Sequence, residues 1–128
     1  MRLILFLLLS TLLTQCKVKQ PTAKSDSTAA LAYSILGKNI DSFPNSSGMY
    51  LLFVQKTNTD EPNHVVKAIV IEATSKKIII QESFVPGYIK WVSESSLELL
   101  NLPGMIRKDE TLSQYKKTID LRSLKSDL

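Results

Sequence analysis

The sequence predicts a mainly β protein built on a single antiparallel meander of about five or six strands. From residue 49 onward, apolar runs of five to ten residues alternate with clusters of turn-forming residues. The connections between these runs are short and leave no room for the crossover helices that parallel strands need. The pattern is compatible with an open, blade-like sheet and with a partial barrel.

The predicted strands follow one another closely along the chain. Met49 to Gln55 is apolar almost throughout, which is typical of a strand covered on both faces. The later strands are His64 to Ala73, Ile78 to Phe84, Tyr88 to Val92, Leu97 to Leu102 and Tyr115 to Leu121. Met105 to Gln114 is expected to be a charged loop or one helical turn. The β domain is thus predicted over residues 28–122, with a frayed tail at 123–128.

The segment before the meander leaves two interpretations open. Ser25 or Asp26 can cap a short helix that ends at Leu36, with Gly37 as the residue that stops it. The competing interpretation makes Tyr33 to Leu36 a first edge strand. Asn39 to Gly48 contains Pro44 and an Asn-Ser-Ser-Gly run, and is predicted to be a turn-rich connection.

The amino terminus is typical of a secretory signal. Arg2 supplies a positive charge, and Leu3 to Leu13 form an apolar run interrupted only by two hydroxyl side chains. As a helix this run reaches only ~16 Å, roughly half of a hydrocarbon core, so a permanent membrane span is not expected. A signal helix is therefore predicted within residues 1–15.

The end of this run, Leu13-Thr14-Gln15-Cys16, resembles the lipobox of bacterial lipoproteins. Gln15 occupies the position where that family usually has Gly, Ala or Ser. The resemblance implies cleavage between Gln15 and Cys16, and acyl chains on the Cys16 thiol and on its new amino group. Two or more chains make membrane attachment stable. Residues 16–27 are then predicted to be a flexible, lipid-anchored tether.

Composition limits the location and the partners of the protein. Cys16 is the only cysteine, so no intrachain disulfide can form in the oxidising compartment that an export signal implies. The formal charge of +4 comes from 16 basic and 12 acidic side chains spread along the chain, a balance that does not favour nucleic acid. Lys17 differs from the Asp that favours inner-membrane retention in enteric bacteria. We therefore expect the outer membrane, with the domain facing the periplasm.

Two stretches in the middle of the chain, residues 70–79 and 87–99, resemble part of a TolB or WD40-like propeller blade. The resemblance depends on a hairpin followed by a strand with Trp91 and a turn into a Leu-containing strand. The chain is too short for the four or more blades that a closed propeller needs. As a whole it is similar to small exported lipoproteins with a β-meander domain, and this resemblance implies no activity.

Few residues suggest chemistry. His64, the single histidine, follows Asp60 and could act as a general base that Asp60 orients, or form a metal site with it, although zinc sites need three or four ligands. Four carboxylates lie on or beside predicted strands: Glu72, Glu82, Glu94 and Glu98. Two of them could approach the spacing of a glycosidase pair. The alternative is that they pair across the sheet with lysines, namely Lys67, Lys76, Lys77 and Lys90. No cofactor, metal site or catalytic residue is predicted.

Aromatic side chains suggest binding instead. Tyr50, Tyr88 and Trp91 lie on predicted strands and form a candidate binding patch if the sheet face beneath them is uncovered. Otherwise Trp91 and Ile89 belong to the core, and Tyr88 covers an edge. Open sheets also leave edge strands that can pair with another protein. The sequence thus favours a non-enzymatic envelope protein with a protein or polymer partner. The alternative is an envelope hydrolase that uses a carboxylate pair or Asp60 and His64.

Overall fold

The computed structural model describes residues 23–57, 64–85 and 87–125. The chain begins with helix α1 (Ala23–Leu36). Seven strands follow, with a 3₁₀ turn (Leu112–Tyr115) before the last of them, and helix α2 (Leu121–Lys125) ends the described chain. The strands are β1 (Ile40–Pro44), β2 (Tyr50–Gln55), β3 (Val66–Glu72), β4 (Ile78–Phe84), β5 (Tyr88–Trp91), β6 (Ser96–Leu100) and β7 (Lys116–Asp120). Among these residues no helix is both long and apolar enough to cross a bilayer.

The strands form two open antiparallel sheets. Sheet A has the order β1-β2-β3-β4 and sheet B the order β5-β6-β7, so neighbours in each sheet are also neighbours in sequence. The predicted mainly β, antiparallel character is confirmed, and of the two predicted forms the structure has the open sheet. The meander is divided into two sheets instead of one.

The double burial of the central strands explains this division. In β3, Val66, Ala68 and Val70 face one core while Ile69 and Ile71 face another. Each fully buried side chain of this size stabilises the fold by about 1.5–3 kcal/mol, so both faces of sheet A need a cover. Helix α1 covers one face and sheet B covers the other. A helix, a four-stranded sheet and a three-stranded sheet therefore form three layers.

Helix α1 follows the helical alternative for this segment, not the edge-strand alternative. Its side chains Ala32 and Leu36 are buried against Phe53, Ile69 and Ile71 of sheet A. Gly37 ends the helix with φ +86°, and its N–H donates to the carbonyl oxygen of Tyr33 at 3.0 Å. The helix begins at Ala23, within the range 16–27 assigned to the tether. Residues 16–22 of the predicted tether lie outside the described residues.

Strand β1 corrects the prediction of a turn-rich connection from Asn39 to Gly48. It pairs with β2 from Ile40 opposite Gln55 to Pro44 opposite Leu51. Four of the five side chains of β1 are exposed, so its sequence shows no apolar alternation that would have predicted a strand. Pro44 is tolerated because β1 is an edge strand.

The passage from sheet A to sheet B depends on Gly87. A Cβ atom built on Gly87 would lie 2.0 Å from the carbonyl oxygen of Leu100, so only glycine fits this close approach to β6. The N–H of Val85 donates to Oδ1 of Asn101 at 2.9 Å, which fixes the crossing to the end of β6. The chain therefore folds over the uncovered face of sheet A at this point.

The carboxyl end is more ordered than predicted. Strand β7 ends at Asp120, and α2 begins at Leu121, which is fully buried in the core between the sheets. Helix α2 thus includes the first residues of the predicted frayed tail, 123–128. The predicted signal helix, Gln15, Cys16, and the loop residues Asp60 and Glu61 lie outside the described residues.

Candidate functional site

A cleft of about 270 Å³ opens between the two sheets beside β1. Its apolar wall comes from Phe43 of β1, Val54 of β2, Phe84 of β4 and Ile89 of β5. Asp41 is the only charged side chain among its described lining residues, and it pairs with Lys56 at 2.9 Å. The cleft is therefore mainly apolar, with one carboxylate at its border.

Trp91 fixes the position of sheet B beside this cleft. Its indole Nε1 donates a hydrogen bond of 2.9 Å to the carbonyl oxygen of Phe43. The rest of its side chain packs against the core between the sheets, on the same face of β5 as Ile89. This is the core alternative described for Trp91 and Ile89. Phe43 itself stays 47% exposed, so β1 presents an aromatic ring to solvent next to the cleft.

The three residues of the candidate binding patch do not form one exposed aromatic surface. Tyr50 is 8% exposed and belongs to the core between the sheets, which leaves little of its ring for a partner. Tyr88 is half-buried and also lines the cleft. Trp91 has the role just described. The structure therefore points to Phe43 as an aromatic contact residue that the sequence did not single out, because β1 was not predicted.

Glu98 lies at the centre of a polar group on sheet B. It accepts a hydrogen bond from the hydroxyl of Tyr88, and Lys90 and Lys116 each place Nζ 3.7 Å from its Oε1. The Tyr88 hydrogen bond, followed by the charges of Lys116 and Lys90, holds the pKa of Glu98 below its ordinary value. Lys90 Nζ also lies 4.7 Å from the centre of the Tyr88 ring. The carboxylate is therefore ionised and engaged, which suits a structural role.

Glu94 connects the turn after β1 to the turn after β5. Asn45 donates from Nδ2 to the carbonyl oxygen and to Oε1 of Glu94, both at 2.8 Å. The hydroxyl of Ser46 and the N–H of Ser47 also donate to the carboxylate. The hydrogen bond from the Ser46 hydroxyl is the largest cause that lowers the pKa of Glu94, and the hydrogen bonds from Ser47 lower it further. The sequence analysis treated Asn45 and the two serines only as turn formers, and nothing in the sequence indicated that Asn45 has a partner 49 positions away.

The remaining candidate carboxylates, Glu82 and Glu72, also have ionic or hydrogen-bonding partners. Glu82 pairs with Lys117 of β7 at 3.2 Å, and Glu72 accepts a hydrogen bond from the hydroxyl of Ser75. Of the predicted cross-strand lysine pairs, Lys90 with Glu98 is confirmed. No group of three or more metal-ligating side chains occurs within residues 23–57, 64–85 and 87–125. His64 is half-buried just before β3, and the hypothesis that pairs it with Asp60 extends outside the described residues.

Comparisons with protein-family models, with curated proteins and with solved structures find no match for this chain.

Proposed function

We propose that the protein is a lipid-anchored binding protein of the bacterial cell envelope and that it works without catalysis. Cys16 carries the acyl chains, and the β domain engages another protein of the envelope. The anchor belongs to the outer membrane and the domain faces the periplasm. The support for the anchor is sequence position: a sole cysteine follows an apolar run that is too short to span a bilayer.

The observation that carries this proposal is the spacing between Cys16 and the fold. Helix α1 is Ala23–Leu36, so six residues, 17–22, lie between Cys16 and the helix in the sequence. Even a fully extended chain of six residues spans at most ~20 Å, so an anchor on Cys16 would hold the domain near the bilayer surface. This spacing suits a domain that meets partners at the membrane surface.

The binding role is supported by what the domain leaves exposed. The cleft beside β1, the ring of Phe43 and the outer edge of β1 form one continuous area at the border of both sheets. By contrast, the four carboxylates considered for catalysis are held by hydrogen bonds or lysine partners. None of these four lines the cleft beside β1, where Asp41 is the only described carboxylate, and this supports a binding role for that area.

The test compares wild-type protein with Cys16→Ser in the native cells. The wild type is expected to fractionate with the outer membrane and to show the mass of a diacylglycerol-modified and acylated amino terminus. Cys16→Ser is expected to lose both. An unmodified Cys16 thiol in the exported wild-type protein would exclude the anchor. Full-length protein that hydrolyses envelope glycans or peptides, with loss of activity in Glu98→Gln or His64→Ala, would exclude the non-enzymatic role.

A further inference from the structure

The outer edge of β1 carries backbone groups directed away from β2. The N–H of Lys56 donates to the carbonyl oxygen of Asn39 at 2.8 Å, and the N–H of Asn45 donates to that of Tyr50 at 3.0 Å. Hydrogen-bonded residues alternate along an antiparallel ladder, so between these two bonds Asp41 and Phe43 are the residues that pair with β2. The N–H and C=O groups of Ile40 and Ser42 therefore point outward. No described strand lies beside them.

Each of the other sheet edges has a feature that discourages strand pairing, and β1 has two of its own, Pro44 and its length of five residues. Helix α2 packs against β4. Strand β7 carries two exposed lysines, Lys116 and Lys117, and charged side chains of this kind discourage strand pairing. Strand β5 is only four residues long. The edge of β1 is also short, which prevents open-ended aggregation, but it is bordered by the apolar cleft.

The cleft lies on the face of sheet A to which Asp41 and Phe43 point. Side chains of a strand alternate between the two faces of a sheet. A strand added to β1 would therefore direct every second side chain toward the cleft and Asp41. The cleft volume of about 270 Å³ lies just under the roughly 300 Å³ at which small-molecule pockets begin, so a single apolar side chain fits it better than a drug-sized ligand.

We propose that β1 binds an extended segment of a partner protein by strand addition. This inference rests on the proposed function and names the chemistry of the partner. The backbone of the segment pairs with Ile40 and Ser42, and an apolar side chain enters the cleft. Two residues away, a lysine or arginine of the segment meets Asp41, the only charge among the described lining residues. The Asp41 to Lys56 pair is about half exposed, so it exchanges partners at little cost.

A second copy of the chain fits this edge less well. In an antiparallel pair of β1 strands centred on Ser42, Ile40 would lie opposite Pro44 of the other copy. Pro44 has no N–H, so each half of the pair would lack one donor. A partner segment with a complete set of backbone donors avoids that loss.

The first experiment places a photo-crosslinking benzoylphenylalanine at Phe43 of the full chain in native cells. Tyr33 on α1 gives a matched control, because it is also aromatic and has the same exposed fraction of 47%. Crosslinks from Phe43, but not from Tyr33, are expected to map to one segment with an apolar residue and a basic residue two positions apart. Equal crosslinking from both positions, crosslinks only to lipid or glycan, or crosslinks to a second copy would overturn the proposal.

The second experiment tests strand pairing directly. Ser42→Pro removes the outward N–H without touching the β2 ladder, whereas Ser42→Ala keeps that N–H. A synthetic peptide with the crosslinked sequence is titrated against each full-chain variant, with Trp91 fluorescence as the signal, since Trp91 contacts β1. We expect Ser42→Pro to bind about tenfold more weakly and Ser42→Ala to bind like wild type. Equal affinities for both variants would exclude strand addition.

The two proposals fail in distinguishable ways. The lipid on Cys16 is measured by mass spectrometry in the same cells as the crosslinks. An unmodified thiol together with segment-specific crosslinks would reject the anchor and keep strand addition. A lipidated protein whose Phe43 position gives no specific crosslink would reject strand addition and keep the anchor.

Discussion

The indole Nε1 of Trp91 donates a 2.9 Å hydrogen bond to the carbonyl oxygen of Phe43, and this contact joins the first strand of sheet B to the first strand of sheet A. The two residues are 48 positions apart, and each lies on an edge strand. The hydrogen bond and the packing of the indole ring hold β5 beside β1, and Phe43 and Ile89 of these two strands line the cleft. Trp91 is therefore important both for stability and for the shape of the area proposed to bind a partner.

Replacement of Trp91 separates these two contributions. Trp91→Phe keeps an aromatic ring against the core and loses the donor, so we expect a loss of about 1 kcal/mol in the free energy of unfolding. Trp91→Ala also loses the ring contacts and should cost about 3 kcal/mol. Urea unfolding followed by far-ultraviolet circular dichroism measures both. Equal stabilities for Trp91→Phe and wild type would mean that the hydrogen bond contributes nothing.

Asn45 is expected to be among the most sensitive polar positions. It is 5% exposed, its Nδ2 donates twice to Glu94, and its Oδ1 accepts from the buried N–H of Tyr50 at 3.0 Å. Asn45→Ala leaves that N–H without its acceptor, so a loss of about 2–3 kcal/mol is expected. The midpoint of urea unfolding gives the value.

Ser34→Ala is the matched control for Asn45→Ala, because Ser34 makes one exposed hydrogen bond within α1. We expect its stability to stay within about 0.5 kcal/mol of wild type. An Asn45→Ala protein that is as stable as this control would show that the connection between the two turns is not structural.

The strands that the sequence revealed are those with apolar side chains on at least one face. Met49 to Gln55 and Ile78 to Phe84 were recognised because burial requires a β-branched or aromatic run there. β1 was missed because its stability comes from backbone pairing with β2, which leaves no mark on side-chain type. The same holds for the candidate site: Trp91 was visible in the sequence, whereas the adjoining edge and Phe43 were not.

The division of the meander into two sheets was also not predicted from the sequence. A meander that continues and a meander that folds over have the same short turns, and only tertiary packing decides between them. Residues 70–99, which carry the resemblance to a propeller blade, are distributed over both sheets. The double burial of β3 was the available signal, because its two apolar faces require two separate covers.

Acid is expected to destabilise the fold partly through Glu98. Its pKa is lowered in the folded state, chiefly by the Tyr88 hydroxyl, so its contribution is fully present above the ordinary carboxyl pKa and is lost as the pH falls through the folded-state value. Tyr88→Phe removes the main cause. We expect the pKa of Glu98 to rise toward its ordinary value, the stability near neutral pH to decrease, and the loss of stability on acidification to become shallower.

Carbon-13 NMR titration of the Glu98 carboxyl group measures that pKa, and urea unfolding from pH 2 to pH 7 measures the stability profile. Tyr33→Phe is the control, because it removes an exposed hydroxyl that is far from Glu98 in sequence and lies on α1. An unchanged Glu98 titration in Tyr88→Phe would contradict the assignment of the hydroxyl as the principal cause.

Alanine substitutions at Gly87 and Gly37 test two different reasons for glycine. At Gly87 there is no space for a Cβ atom, and at Gly37 the backbone has a positive φ. In Gly87→Ala the new methyl group would overlap the backbone of Leu100, so the segment that leads into β5 must move away from β6, at a cost of about 3 kcal/mol or more. Gly37 has no atom within 4 Å of an added Cβ, but its φ is +86°, so Gly37→Ala should cost only about 1 kcal/mol. Thermal and urea unfolding of the two variants measure these costs. If Gly87→Ala fails to fold, while Gly37→Ala gives soluble protein with a slightly lower unfolding midpoint, the order of costs is confirmed. Comparable stabilities for the two variants would show that the crossing at residue 87 can relax, and that the close contact with β6 does not fix how sheet B lies over sheet A.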